Sequence, residues 1–117
     1  MAVYFHMSEF ECRCGCGKNN ISPTLVGKLD RLRGMVRMPL VIHSGCRCTP
    51  HNLTVGGKDD SSHLTGLAVD IRALSSPTRF RIIRSALNLG FTRIGIGSSF
   101  IHIDIDTTKP SQVFWLY

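Results

Sequence analysis

The stretch Phe100-Ile101-His102-Ile103-Asp104-Ile105-Asp106 places an isoleucine at every second position. Because successive side chains of a β-strand point to opposite faces, the three isoleucines are expected to enter a core. The other face would carry one aromatic ring, one imidazole and two carboxylates, those of Phe100, His102, Asp104 and Asp106. A solvated strand face has the same composition, so the stretch by itself predicts a strand and leaves a functional site open.

Two Ser-Pro pairs predict helix starts, because serine caps a helix N-terminus and proline is tolerated in the first turn. They are Ser22-Pro23 and Ser76-Pro77. In the first helix, apolar residues recur at three- and four-residue spacing, which predicts a buried stripe of Leu25, Val26, Leu29, Leu32 and Val36. In the second, the expected stripe is Phe80, Ile83, Ala86, Leu87 and Leu89.

Short apolar runs predict four strands, at residues 39–43, 67–71, 91–96 and 100–105. Residues 46–62 are polar and predict a long loop, which in a small domain is often functional. Helices and strands in this order indicate an α+β fold, a small antiparallel sheet with helices packed on one face. Residues 1–117 are expected to form one domain, in which residues 1–21 are a cysteine-containing loop region.

Composition narrows the class of protein. The 117 residues suffice for one domain, and 43% hydrophobic against 19% charged residues argue against disorder. No apolar run approaches the roughly 20 residues that cross a bilayer, which excludes a membrane-spanning protein. The net charge of +6 favours an anionic partner, although a basic soluble surface gives the same value.

Five cysteines form two Cys-x-Cys clusters, Cys12, Cys14 and Cys16 in one and Cys46 and Cys48 in the other. Paired cysteines in structural zinc sites usually have two to four residues between them, and here there is one. A structural metal, a disulfide between the clusters and reduced thiols that brace a loop all remain open.

A second polar cluster lies in Ser62-His63-Leu64-Thr65-Gly66-Leu67-Ala68-Val69-Asp70. Imidazole and carboxylate groups suit Zn²⁺, and His63 and Asp70 together with His102 would leave one corner of a tetrahedral ion vacant. A vacant corner takes water, whose pKa zinc lowers toward about 7. Taken alone, His63 is equally consistent with a loop or capping residue.

The pattern Ser62-His63-x-x-Gly66-x-Ala68-x-Asp70, followed by Phe100-Ile101-His102-Ile103-Asp104, resembles the zinc D-Ala-D-Ala carboxypeptidase family, peptidase M15. That family includes murein endopeptidases and small phage endolysins. Further similarities are Ser44-Gly45-Cys46-Arg47, the following Asn52 and Gly56-Gly57, and an N-terminal segment resembling the phage-type branch, Ser8 to Gly17. The resemblance covers roughly residues 8–106.

The resemblance implies one catalytic zinc ion, with His63, Asp70 and His102 as its ligands. It implies that Arg47 binds a substrate carboxylate or carbonyl, a task that suits a planar fork of donors. Ser44, Asn52 and Ser62 are the other expected substrate-binding residues.

The general base is less evident, because Ser99 stands where several relatives carry Glu or Asp three residues before the last ligand. Asp104 is the candidate catalytic carboxylate, either as a base or as a group that orients His102. His43 and His51 are expected to be structural or to reach the site. Phe114, Trp115 and Tyr117 are expected to pack on the sheet or line the substrate groove.

These features predict a zinc peptidase that hydrolyses peptide bonds in bacterial peptidoglycan, as a carboxypeptidase or endopeptidase, in a phage lysis enzyme. The alternative, motivated by Ser99, is a non-catalytic, zinc-stabilised module that binds cell walls. No nucleic-acid or membrane partner is expected, and the chain is expected to be a monomer. The first ten residues do not form a signal peptide, which predicts accumulation in the host cytoplasm until the membrane is permeabilised.

Overall fold

The computed structural model describes residues 4–117. A short 3₁₀ helix, Met7–Phe10, comes first. The α-helices are α1 (Pro23–Val36), α2 (Thr49–Thr54) and α3 (Ser76–Asn88). The strands are β1 (Ile42–Ser44), β2 (Ala68–Arg72), β3 (Arg93–Ile96), β4 (Phe100–Asp104) and β5 (Val113–Leu116). No helix within residues 4–117 combines the length and the apolar character needed to cross a membrane.

The five strands form one sheet in the order β1-β2-β4-β3-β5. The first three pairings are antiparallel, whereas β5 runs parallel to β3. The α+β class is therefore confirmed, but the sheet is mixed rather than wholly antiparallel. The difference arises because residues 105–112 lead the chain from β4 across to the far edge of β3, where the last strand adds.

The caps and buried faces of the helices agree only in part with the sequence patterns. Ser22 caps α1 by accepting a bond from the Leu25 amide at 3.3 Å, and its five-residue stripe is buried as predicted. The cap of α3 is Ser75, one residue earlier than predicted. Its buried residues are Ile82, Ser85 and Ala86, and Ile83 and Leu89 pack partly buried against the core, so the predicted stripe is wrong at Phe80 and Leu87. Phe80 is 63% exposed and lies beneath the Arg84 guanidinium instead.

The core lies between the sheet and helices α1 and α3, and Ile101 and Ile103 contribute to it as the alternation predicts. The predicted loop 46–62 is interrupted by α2, which begins after Cys48 and has proline in its first turn. On the sheet face away from the core, directly paired positions form a row across all five strands. From β1 to β5 the row is Ser44, Asp70, His102, Gly95 and Trp115.

Candidate metal centre and substrate groove

Three donor groups converge at the middle of this row. Asp70 and His102 are paired across β2 and β4, and His63 reaches them from the loop that precedes β2. The Oδ1 atom of Asp70 lies 3.3 Å from Nε2 of His63 and 2.9 Å from Nδ1 of His102. One ligand atom from each residue lies within 4.8 Å of the other two, and all three residues are buried.

The loop that delivers His63 turns sharply at Gly66. Gly66 has a φ of +72°, a conformation that L side chains rarely adopt, and a Cβ there would collide with the Asn20 carbonyl. The Ser22 amide donates to the Gly66 carbonyl at 2.9 Å, which fixes the loop against the start of α1. These contacts hold His63 above the sheet row.

The outer nitrogen of each imidazole ring is held by an acceptor. Nδ1 of His63 lies 2.7 Å from the Gly45 carbonyl oxygen, and Nε2 of His102 lies 2.7 Å from Oδ2 of Asp104. A proton on each outer nitrogen leaves the inner nitrogen with a lone pair for a metal. Two imidazoles and one carboxylate, oriented in this way, are a suitable ligand set for a catalytic zinc ion.

The same geometry shifts the ionisation of these groups. Burial raises the pKa of Asp70, but hydrogen bonds from His102 and His63 outweigh it and hold that pKa well below its usual range. Burial lowers the pKa of His102, but its hydrogen bonds with Asp104 and Asp70 raise it overall. The Asp70 carboxylate is therefore held in its charged form, which is the form that binds a metal ion.

The Arg47 guanidinium lies at the β1 side of this centre. Its Nη2 is 3.5 Å from Oδ2 of Asp70, its Nη1 donates to Oδ1 of Asn52 at 3.1 Å, and its Nε donates to Oγ of Ser44 at 3.4 Å. A Cβ at Gly57 would overlap Asn52 and come within 2.9 Å of Arg47 Nη1, so this glycine lets the loop close over the pair. The structure thus brings Arg47, Ser44 and Asn52 together, next to Asp70.

Ser62, also predicted as a substrate-binding residue, is buried and engaged with neighbours. Its hydroxyl donates to Oδ2 of Asp106 at 2.7 Å and accepts from Lys109 Nζ at 3.1 Å. The Lys109 ammonium also donates to the Asp60 carbonyl at 2.5 Å. This network joins the His63 loop to the chain that follows β4.

A cavity of about 800 Å³ opens above His63, Asp70 and His102. Its walls include two histidines that the sequence left undecided, His43 and His51, and the ring of Tyr117. His43 stacks on Phe100, with ring centroids 6.0 Å apart and planes within 7°. Trp115 of β5 and Tyr117, the residue after β5, line the cavity, whereas Phe114 is 60% exposed.

Sequence reasoning missed Arg93, which completes the support of His102. Its Nε donates to Oδ1 of Asp104 at 2.7 Å, and its guanidinium lies 5.0 Å from the Trp115 ring centroid. Trp115 in turn packs against His102, with ring centroids 5.3 Å apart. The sequence does place Arg93 at the start of a strand next to β4. Which face of the sheet its side chain occupies could not be assigned without the register of the two strands.

A His-Asp-His centre in a groove on a small α+β sheet is the arrangement expected of a metal-dependent hydrolase. The family model described as Peptidase M15 matches residues 3–105, and the chain belongs to this family. Members of that family are zinc-dependent peptidases, so the chain is a metallopeptidase domain. A comparison with curated proteins gave no match.

Proposed function

We propose that this peptidase hydrolyses a peptide bond in the stem or cross-link peptides of bacterial peptidoglycan, with one catalytic zinc ion. The proposal rests on the position of Asp70, whose carboxylate lies between the two imidazoles and the Arg47 guanidinium. Its Oδ1 faces both imidazoles at 2.9 and 3.3 Å, and its Oδ2 faces Arg47 at 3.5 Å. A scissile carbonyl beside the ligands would therefore lie close to a guanidinium fork.

Zinc held by His63, Asp70 and His102 would act as a Lewis acid toward the scissile carbonyl and would lower the pKa of a water molecule. The surrounding protein groups orient the three ligands. Gly45 and Asp104 fix the two imidazole rings, and burial of all three ligands removes competing solvent.

Arg47 is proposed to anchor the substrate. Within residues 4–117 its charged partner is Asp70, 3.5 Å away, and its side chain is 13% exposed at the edge of the cavity. A guanidinium is a fork of donors that binds a carboxylate at two points, as the terminus of a stem peptide offers. A free terminal carboxylate would favour a carboxypeptidase, and a cross-link carbonyl an endopeptidase.

Asp104 is proposed to be a positioning residue for His102. Its Oδ2 lies on the ring nitrogen turned away from Asp70, and its Oδ1 is bonded to Arg93. Both carboxylate oxygens are thus engaged, and the side chain is 1% exposed. A base that collects a proton from water needs a free oxygen toward the cavity, which this arrangement does not provide.

The second candidate function is a wall-binding module that keeps the zinc centre without turnover. Ser99 favours it, since a hydroxyl cannot take up a proton at neutral pH. His43 and His51 line the same cavity as the ligands and offer imidazoles instead. The two functions are separated by assaying turnover.

The test is digestion of purified sacculi by the full chain, followed by mass spectrometry of the muropeptides. Peptide bond cleavage is expected with zinc, is lost with a chelator and returns when zinc is added back. His63→Ala should abolish cleavage while the circular dichroism spectrum is retained. His6→Ala, a matched change at an exposed histidine, should cleave normally. Binding to sacculi without any cleavage would support the wall-binding module, and wall lysis by His63→Ala would overturn the proposal.

A further inference from the structure

A second group of metal-ligating side chains lies outside the groove. The Sγ atoms of Cys12, Cys14, Cys16 and Cys48 all lie within 4.8 Å of one another. Cys12 and Cys14 are 3.5 Å apart, Cys14 and Cys48 are 3.5 Å apart, and Cys12 and Cys48 are 3.8 Å apart. Three of these cysteines come from one loop, and Cys48 is more than thirty residues away in the chain.

These sulfur–sulfur distances have a specific meaning. Four thiolates about 2.3 Å from a tetrahedral zinc ion are separated from one another by about 3.8 Å. A disulfide instead brings two sulfurs to about 2.05 Å. The distances of 3.5, 3.5 and 3.8 Å among Cys12, Cys14 and Cys48 are close to this edge length, and Cys16 lies within 4.8 Å of all three.

Backbone donors around the cluster point at the sulfurs. The Cys48 amide lies 3.4 Å from Sγ of Cys12, the Lys18 amide 3.5 Å from Sγ of Cys16, and the His51 amide 3.4 Å from Sγ of Cys48. Amide donors to sulfur stabilise thiolates, which are the form that binds metal. The loop bends at Gly15, between Cys14 and Cys16, and at Gly17, directly after Cys16, where the φ angles are +84° and +85°.

The fifth cysteine is set apart. Cys46 is buried, and its thiol donates to Oδ1 of Asn19 at 3.6 Å. The two Cys-x-Cys clusters therefore do not contribute two cysteines each to the group of four. One spacer residue suffices because Cys12, Cys14 and Cys16 come from a tightly bent loop, and only Cys48 is contributed from outside it.

We propose that Cys12, Cys14, Cys16 and Cys48 bind a structural zinc ion, distinct from the ion in the groove. Binding displaces the thiol protons, and four thiolates fill every tetrahedral position, so this centre has no site for water or substrate. The ion would crosslink the N-terminal loop to the segment that carries Arg47.

The position of Cys48 gives this centre a role in the groove. Cys48 follows Arg47 directly and caps α2 through its Sγ, and α2 carries the Asn52 that binds Arg47. Tying Cys48 to the loop of Cys12 therefore fixes both ends of the Arg47 contact. Loss of the sulfur centre should loosen Arg47 without removing any groove ligand.

The test is metal stoichiometry and cobalt spectroscopy of the full chain. We expect two zinc ions per chain in the wild type, one in Cys12→Ser or Cys48→Ser, and one in His63→Ala. With Co²⁺, the wild type and His63→Ala should show thiolate-to-cobalt charge-transfer absorption in the near ultraviolet. Cys46→Ser is the matched control and should keep both ions and the absorption.

If the serine variants fail to fold, the cobalt spectrum of His63→Ala still tests the proposal, because that variant keeps all four thiols. A wild-type chain with one zinc ion and no thiolate absorption after cobalt loading would overturn the proposal. So would a Cys12–Cys48 disulfide found by mass spectrometry in the folded protein. Neither result affects the proposed peptidase, whose test is cleavage of sacculi.

Discussion

The Nε2 atom of His102 lies 2.7 Å from Oδ2 of Asp104, while Nδ1 of the same ring faces Asp70 at 2.9 Å. One imidazole is thus held between two carboxylates, one toward the metal position and one away from it. Arg93 balances the outer carboxylate with an ion pair of 2.7 Å. This chain of contacts orients the His102 ring through protein groups alone.

Asp104→Asn should weaken zinc binding in the groove, because a neutral amide makes a weaker partner for the ring N–H. Loss of such a partner typically costs about 10–100-fold in metal affinity. Competition with a chromophoric chelator measures it, and the exposed Asp59→Asn serves as the control. If Asp104 were instead the general base, turnover would fall while zinc affinity stayed unchanged.

Arg47→Lys should raise the KM for peptides with a free carboxylate, because a single ammonium cannot replace a two-point fork. The lost charge-assisted bond corresponds to about 1.5–3 kcal/mol, or roughly ten- to hundredfold. Steady-state kinetics on a synthetic stem peptide provide the measurement. Arg31→Lys, on the exposed side of α1, should leave KM unchanged. A loss of bound zinc in Arg47→Lys would contradict the assigned role.

Gly95→Ala should destabilise the fold and the groove together. A Cβ at this position would meet Nε1 of Trp115 at 2.5 Å and Cε2 of Tyr117 at 2.8 Å, so the indole must leave His102. Overpacking of this kind costs about 1–3 kcal/mol of unfolding free energy. Urea denaturation measures it. Gly27→Ala, on the exposed side of α1 with open space around it, should instead stabilise by about 0.5–1 kcal/mol.

Asp106→Asn should lower the unfolding free energy at pH 7 by about 1–2 kcal/mol, since bonds to a carboxylate are lost. Burial raises the pKa of Asp106, but bonds from Thr108 and Ser62 outweigh it and lower that pKa overall. A depressed pKa stabilises the fold above the unfolded value of about 4, and this stability is lost as the pH falls further.

The difference between wild type and Asp106→Asn should therefore be largest at neutral pH and should shrink below about pH 4. Urea denaturation at a series of pH values measures it. A difference that is constant with pH would show that the carboxylate charge is not involved.

The sequence predicts the features that depend on neighbouring residues in the chain, and not those that depend on contacts between distant segments. The two-residue alternation of residues 100–106 predicts β4, and the burial of Ile101 and Ile103 confirms it. The stripe of α1 is likewise confirmed, because its spacing is clear and both ends are marked. The stripe of α3 is confirmed only in part, at Ala86 and at the half-buried Ile83 and Leu89. Apolar residues occur on more than one side of that helix, and only contact with the sheet selects Ile82 over Phe80.

The candidate site follows the same rule. Ligand chemistry and the family resemblance single out His63, Asp70 and His102, and the structure places their donor atoms together. Strand β5 and the role of Trp115 depend on a parallel pairing to β3, which no local pattern encodes. The support of Asp104 by Arg93 and the gathering of four thiols require knowledge of tertiary proximity.

The row from Ser44 to Trp115 draws on five strands whose order in space differs from their order in the chain. Its central pair, Asp70 and His102, is separated by 32 residues. The row extends along the chain from residue 44 to residue 115, so the groove is complete only once the last strand has docked. Ligation in the groove is therefore expected to report on completed folding, and the free energy of ion binding adds to the stability of the finished sheet.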